Sequence, residues 1–134
     1  MKLVLASGSP RRRGILEEIG FEFEVRSPDA EEITKGPPQD IVTENARRKV
    51  LSVNSAPGEI LIGSDTVVTC SGEILGKPLD REDAGRMIRL QLQNPQSVYT
   101  GVCVYDVGKR ETYTGYEISR VIMKGDPDDI ESYL

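Results

Sequence analysis

The sequence contains no histidine. That removes histidine-activated nucleophiles and histidine metal ligands, so acid–base or metal chemistry falls to carboxylates and lysines. Cysteine is scarce: Cys70 and Cys103 each lie in strand-like sequence, without metal-type spacing. The expectation is two reduced core thiols, with a disulfide as the alternative. No apolar run approaches the length of a membrane span. The first apolar run meets Arg11, Arg12 and Arg13 too early for a secretory signal. Excess positive charge is missing as well. With 17 Lys and Arg against 22 Asp and Glu the net charge is −5, which argues against a general nucleic-acid binder. There is no internal repeat, linker or low-complexity segment. What remains is a single domain of 134 residues, 37% hydrophobic and 29% charged, long enough to bury a core. A cytoplasmic protein with no membrane or nucleic-acid partner is expected.

The chain is organised around its first twenty residues. Leu3 to Ala6 is a short apolar run of buried-strand type. Ser7-Gly8-Ser9 is a small-residue turn, and Ser9-Pro10 reads as a serine N-cap with proline at the first helical position. Ile15, Leu16 and Ile19 recur at helical spacing, and Gly20 stands where a C-cap belongs. Three arginines in the first helical turn oppose the helix dipole. Either an anion sits on the turn, held by N–H groups, serine hydroxyls and guanidinium forks, or this is a solvated basic helix start.

Phe21 to Val25 alternates and reads as a strand. Residues 27–38 form a loop in which Asp29, Glu31 and Glu32 are either simply hydrated or able to hold a divalent cation. Pro38 to Asn54 reads as a helix with an apolar stripe of Ile41, Val42, Ala46, Val50 and Val53. Arg47, Arg48 and Lys49 span most of its circumference, so at least one must flank the stripe. Glu59 to Ser64 is a core strand that runs into Asp65 and extends to Cys70. Ser71-Gly72 turns, and Glu73 to Leu75 returns as a hairpin that carries Gly76-Lys77-Pro78 back towards Asp65. An aspartate at that place is a catalytic carboxylate or a structural turn residue. A helix over 80–92 uses Ala84, Met87, Ile88 and Leu92 as its core face. A strand over 97–107 has Val98, Thr100, Val102 and Val104 on one face. A partner strand covers 111–123, and a last helix opens at Asp126-Pro127. The whole reads as one α/β domain with a mixed sheet.

The segments LASGSPRRRGIL, the Glu31-Glu32 loop, ENARRKV, GSDTVV, GEILGKPLDREDAGRMIRL and VYTGVCV, in this order and spacing, resemble the Maf family of nucleotide pyrophosphatases over nearly the whole chain. The resemblance implies a fold related to inosine-triphosphate pyrophosphatases. It also implies hydrolysis of a nucleoside triphosphate to the monophosphate and pyrophosphate with Mg²⁺ or Mn²⁺. Ser7, Ser9, Arg11 and Arg12 match the family's phosphate motif, Glu32 its acidic loop, Lys49 its helix lysine and Lys77 its GKP lysine. Asp65 matches the proposed proton acceptor and, with Glu32, would hold the metal. Arg11 and Thr66 match positions associated with preference for dTTP and UTP. Homodimers are common in the family. Where the family has a small-residue, histidine-containing stretch, this chain reads QLQNPQS. The family's later DKAGAYGIQG motif is absent, so a C-terminally truncated version of the fold is expected, with residues 126–134 frayed or packed on another chain. Two alternatives follow: a catalytically impaired nucleotide-binding module, and an interaction protein in division control.

Overall fold

The computed structural model describes residues 1–20 and 22–125. In chain order these form β1 (Lys2–Ala6), α1 (Pro10–Ile19), β2 (Glu24–Arg26), α2 (Pro38–Ser52), β3 (Glu59–Cys70), β4 (Glu73–Leu75), α3 (Arg81–Gln93), β5 (Gln96–Asp106) and β6 (Glu111–Val121). The sheet is mixed, as the order of helices and strands predicted: its strands run β2-β1-β3-β5-β6, with β4 paired to β3 off that path. Two compact units divide the chain. The first is Met1–Asp65 with Thr100–Tyr116, and the second is Thr66–Tyr99 with the chain from Glu117. No described helix is long and apolar enough to cross a membrane.

In the first unit, β1 pairs in parallel with β2 through Val4 opposite Glu24 and Ala6 opposite Arg26. It pairs in parallel with β3 from Lys2 opposite Glu59 to Leu5 opposite Ile62. Its core is Val4, Ala6, Leu61 and Cys103 from the sheet against Ala46 and Val50 of α2, with Val53, Tyr105 and Val107 packed at its margin. α2 reaches this surface because glycines face it. A Cβ on Gly63 would lie 2.7 Å from Val50 Cγ1 and 2.9 Å from the Ala46 carbonyl, and a Cβ on Gly101 would run into the Val42 backbone. Below the core, Arg26 donates from Nη1 to Glu59 Oε1 at 2.8 Å and from Nη2 to Oε2 at 2.5 Å. The Ala56 amide donates to the same carboxylate at 2.7 Å.

The second unit holds the hairpin of β3 and β4, antiparallel with Val68 opposite Leu75. Asp80 caps α3 by accepting from the Asp83 amide at 2.7 Å. Arg86 of that helix donates to both oxygens of Glu73 at 2.9 and 3.1 Å.

Several elements differ from expectation. β2 begins at Glu24 rather than Phe21, and Phe21 itself lies outside the described residues. α2 stops at Ser52, and β6 ends at Val121. Ile15 and Ile19 of α1 are exposed. β5 alternates as expected, and its buried face is the one carrying Gly101 and Cys103, where the close approach of α2 admits only small side chains. The helix expected from Asp126 lies outside the described residues. Both cysteines are buried and free, as expected.

Candidate functional site

The strand order places the site. From β1 the chain crosses through α1 to β2 on one side, and then through α2 to β3 on the other. The carboxyl end of β1 and the end of the parallel stretch of β3 therefore flank a topological switch point, where open α/β sheets bind their ligands. The parallel pairing of β1 with β3 runs as far as Leu5 opposite Ile62. Continuing that register, the chain leaves β1 at Ser7 one strand away from Ser64 and Asp65, about 4.8 Å across the sheet.

The turn after β1 is built as its sequence dictates. Ser7 is buried, and its Oγ accepts from the Ser9 amide at 3.0 Å. Ser9 caps α1 by accepting from the Arg12 amide at 3.5 Å, and Gly20 closes the helix in the left-handed conformation. Arg12 is half-buried, while Arg11 is exposed on the first turn. No acidic residue occupies that first turn, so the dipole end faces only basic side chains of its own helix.

Asp65 stands where β3 passes out of the parallel pairing. Its side chain is 13% exposed, as is that of Lys49. The Lys49 ammonium lies 3.2 Å from Asp65 Oδ1, 3.2 Å from Glu32 Oε1 and 3.2 Å from the Ser64 carbonyl oxygen. Of the three basic residues 47–49, the helix thus turns Lys49 inward. Arg47 and Arg48 remain at the surface and bond Glu44, and Arg48 also donates to the Glu31 carbonyl at 2.9 Å. Thr66, next on β3, and Lys77, in the loop after β4, are exposed and belong to the second unit.

Sequence reasoning missed Asn45. It is 2% exposed, and its amide makes three bonds. Oδ1 accepts from the Ile33 amide at 2.8 Å; Nδ2 donates to the Ile33 carbonyl at 3.0 Å and to Asp65 Oδ2 at 3.0 Å. The signal was present: Ile41, Asn45 and Lys49 form one row at four-residue spacing beside the row Val42, Ala46, Val50. An asparagine inside an apolar stripe needs partners, and those partners mark a built polar site.

Among the described residues no group of three or more His, Cys, Asp or Glu gathers about one point. Two carboxylates and a carbonyl do converge around the Lys49 ammonium. An all-oxygen set with one or two carboxylates suits Mg²⁺ or Mn²⁺, which completes its coordination with water and phosphate oxygens. Glu32 and Asp65 are the carboxylates here that could hold such an ion, and both contact the Lys49 ammonium.

The Maf family profile, described as Maf-like protein, matches residues 2–134. The chain is 42% identical over 123 residues to the dTTP/UTP pyrophosphatase of Anaeromyxobacter dehalogenans, covering 90% of this chain and 60% of that protein. It is 37% identical over 137 residues to the dTTP/UTP pyrophosphatase of Pelotomaculum thermopropionicum, covering 99% of this chain and 72% of that protein. With the protein of the same name from Elusimicrobium minutum it shares 37% over 122 residues, 90% of this chain and 66% of that protein. The chain thus spans about two thirds of the length of these relatives. With the serine turn at the switch point, the inward lysine and the carboxylate at the end of the parallel strand all inside the matched region, the chain belongs to the Maf family.

Proposed function

We propose that the chain binds a nucleoside triphosphate, with thymine or uracil as base, and hydrolyses it to the monophosphate and pyrophosphate. The observation that carries this reading is the arrangement of Lys49, Asp65 and Glu32 beside a serine turn that opens a helix. Water attacks the α-phosphorus and pyrophosphate leaves. The substrate brings about four negative charges, so positioning and charge neutralisation dominate the barrier. Ser7 and Ser9 shape the turn, whose N–H groups face the phosphates, and Arg11 and Arg12 add bidentate donors. Lys49 supplies a point charge, and Lys77 of the GKP segment a second. Asp65 receives the proton of the attacking water. Held by Asp65 and Glu32, a divalent cation would lower the pKa of that water and offset phosphate charge.

Base choice belongs to the same reading. Arginine donates and cannot accept, and a threonine hydroxyl can donate, so Arg11 and Thr66 suit the O2 and O4 acceptors of uracil and thymine better than adenine's amine. The names of the relatives support this choice. The proposed setting is the cytoplasm.

The test is pyrophosphate release from a panel of ribo- and deoxyribonucleoside triphosphates with Mg²⁺ and with Mn²⁺, alongside measured nucleotide binding. UTP and dTTP are expected to turn over fastest. Asp65→Asn is expected to keep binding within about tenfold and lower turnover by two orders of magnitude. Binding without release in the unaltered chain would instead identify a nucleotide-binding module. Equal cleavage of ATP would remove Arg11 and Thr66 from base reading.

A further inference from the structure

We propose that Asn45 is a positioning residue for the reaction: it fixes the Asp65 carboxylate and ties the acidic loop to it. The inference rests on the reading of Asp65 as the proton-accepting carboxylate. Through the single amide of Asn45, α2 is bonded to both the 27–37 loop and the middle of β3. Both its donor and its acceptor sides are specified. The Ile33 N–H requires an oxygen and the Ile33 carbonyl requires an N–H, so the two bonds to one residue's backbone set the amide's orientation. An ionised carboxylate only accepts, and so takes the remaining N–H at Asp65 Oδ2. The amide has no freedom to rotate without breaking all three bonds.

The consequence for Asp65 is directional. Oδ2 is engaged by Asn45 and Oδ1 by Lys49, one turn further along the same row of α2. The carboxylate plane is therefore held from one helix at both oxygens. The same amide anchors Ile33, the residue after Glu32, and Glu32 reaches Lys49. Without the anchor, the loop carrying Glu32 is left with more distant ties to α2, from Arg48 to the Glu31 carbonyl and from the Asp29 amide to Ser52 Oγ. A group that must accept a proton from a placed water loses efficiency when its rotamer is released, even if substrate still binds.

The experiment is a double-mutant cycle on turnover, with each variant's folded fraction measured by circular dichroism. Asn45→Ala removes all three bonds. Asn45→Asp keeps the volume and the acceptor for the Ile33 amide but removes the donor to Asp65, so it serves if the alanine variant does not fold. Either is expected to lower kcat about tenfold or more per folded chain, with KM for UTP within about threefold. Added to Asp65→Asn, the Asn45 change is expected to cost nothing further, because its effect passes through Asp65. Multiplying losses, or a kcat within twofold of the parent in the Asn45 variants, would overturn the proposal while leaving Asp65 in its role. Undiminished turnover in Asp65→Asn would overturn the role of Asp65 and the proposal with it.

Discussion

At the scale of single residues, Glu59 shows how a carboxylate away from the site governs stability. The Arg26 guanidinium, donating to both of its oxygens, outweighs the cost of burial, and the Ala56 amide adds to it; the carboxyl is held down to about 2 from an ordinary 4.5. The folded chain therefore binds this proton more weakly than the unfolded chain. The stabilisation is fully present above about pH 4.5 and is lost as pH falls through about 2. Glu24, beside Arg26, and Asp83, on the Leu79 amide, are lowered in the same direction. The acid limb of wild-type melting temperature against pH should thus flatten in part, not wholly, in Glu59→Gln. A limb that keeps its full slope would remove Glu59 from acid unfolding. Cys70 and Cys103 offer a second residue-scale check. Burial pushes both thiols up, so neither should react with a thiol reagent at neutral pH until the chain is unfolded. Fast labelling of the folded protein would contradict the buried placement.

Elements carry the next lesson. Gly63 and Gly101 let α2 lie directly on β3 and β5, and the same helix presents Asn45 and Lys49 to Asp65. Gly101→Ala must push the Val42 backbone away. It is expected to lower unfolding stability by at least about 2 kcal/mol in denaturant titration, since backbone cannot yield as a flexible side chain does. An unchanged midpoint would mean the helix does not approach that closely. The sequence made much of this legible. The Ser9 cap, the Gly20 stop, the β3–β4 hairpin and the inward turn of one residue among Arg47, Arg48 and Lys49 follow from local rules. The two faces of β5 show where such rules stop. Alternation separates two faces of a strand but does not say which one a helix will cover, and here the smaller residues took the closer contact. β2 begins later than the alternation from Phe21 suggests, because its pairing with β1 runs only from Val4 opposite Glu24 to Ala6 opposite Arg26. The place of Asn45 in a row with Ile41 and Lys49 was legible, but the partners that give it a role, Ile33 and Asp65, are brought to it only by the fold.

For the whole molecule, the deciding feature is the parallel crossover that sets Lys2 beside Glu59 and Leu5 beside Ile62. The serine turn and Asp65 lie on opposite sides of that seam. A partly folded form without the seam does not bring the two sides of the proposed phosphate cradle together. Closing so long a loop is slow compared with forming a helix or hairpin. A nucleotide added to a refolding chain therefore meets its site only after the slow step is over. Saturating UTP and Mg²⁺ should leave the refolding rate within about twofold and slow unfolding by most of the ligand's stabilising factor. Stopped-flow refolding and unfolding, each with and without nucleotide, would read both limbs. A refolding rate that rises with nucleotide would place the cradle ahead of the seam. On that ordering, nucleotide would act as a lock on the finished fold and not as a template for making it.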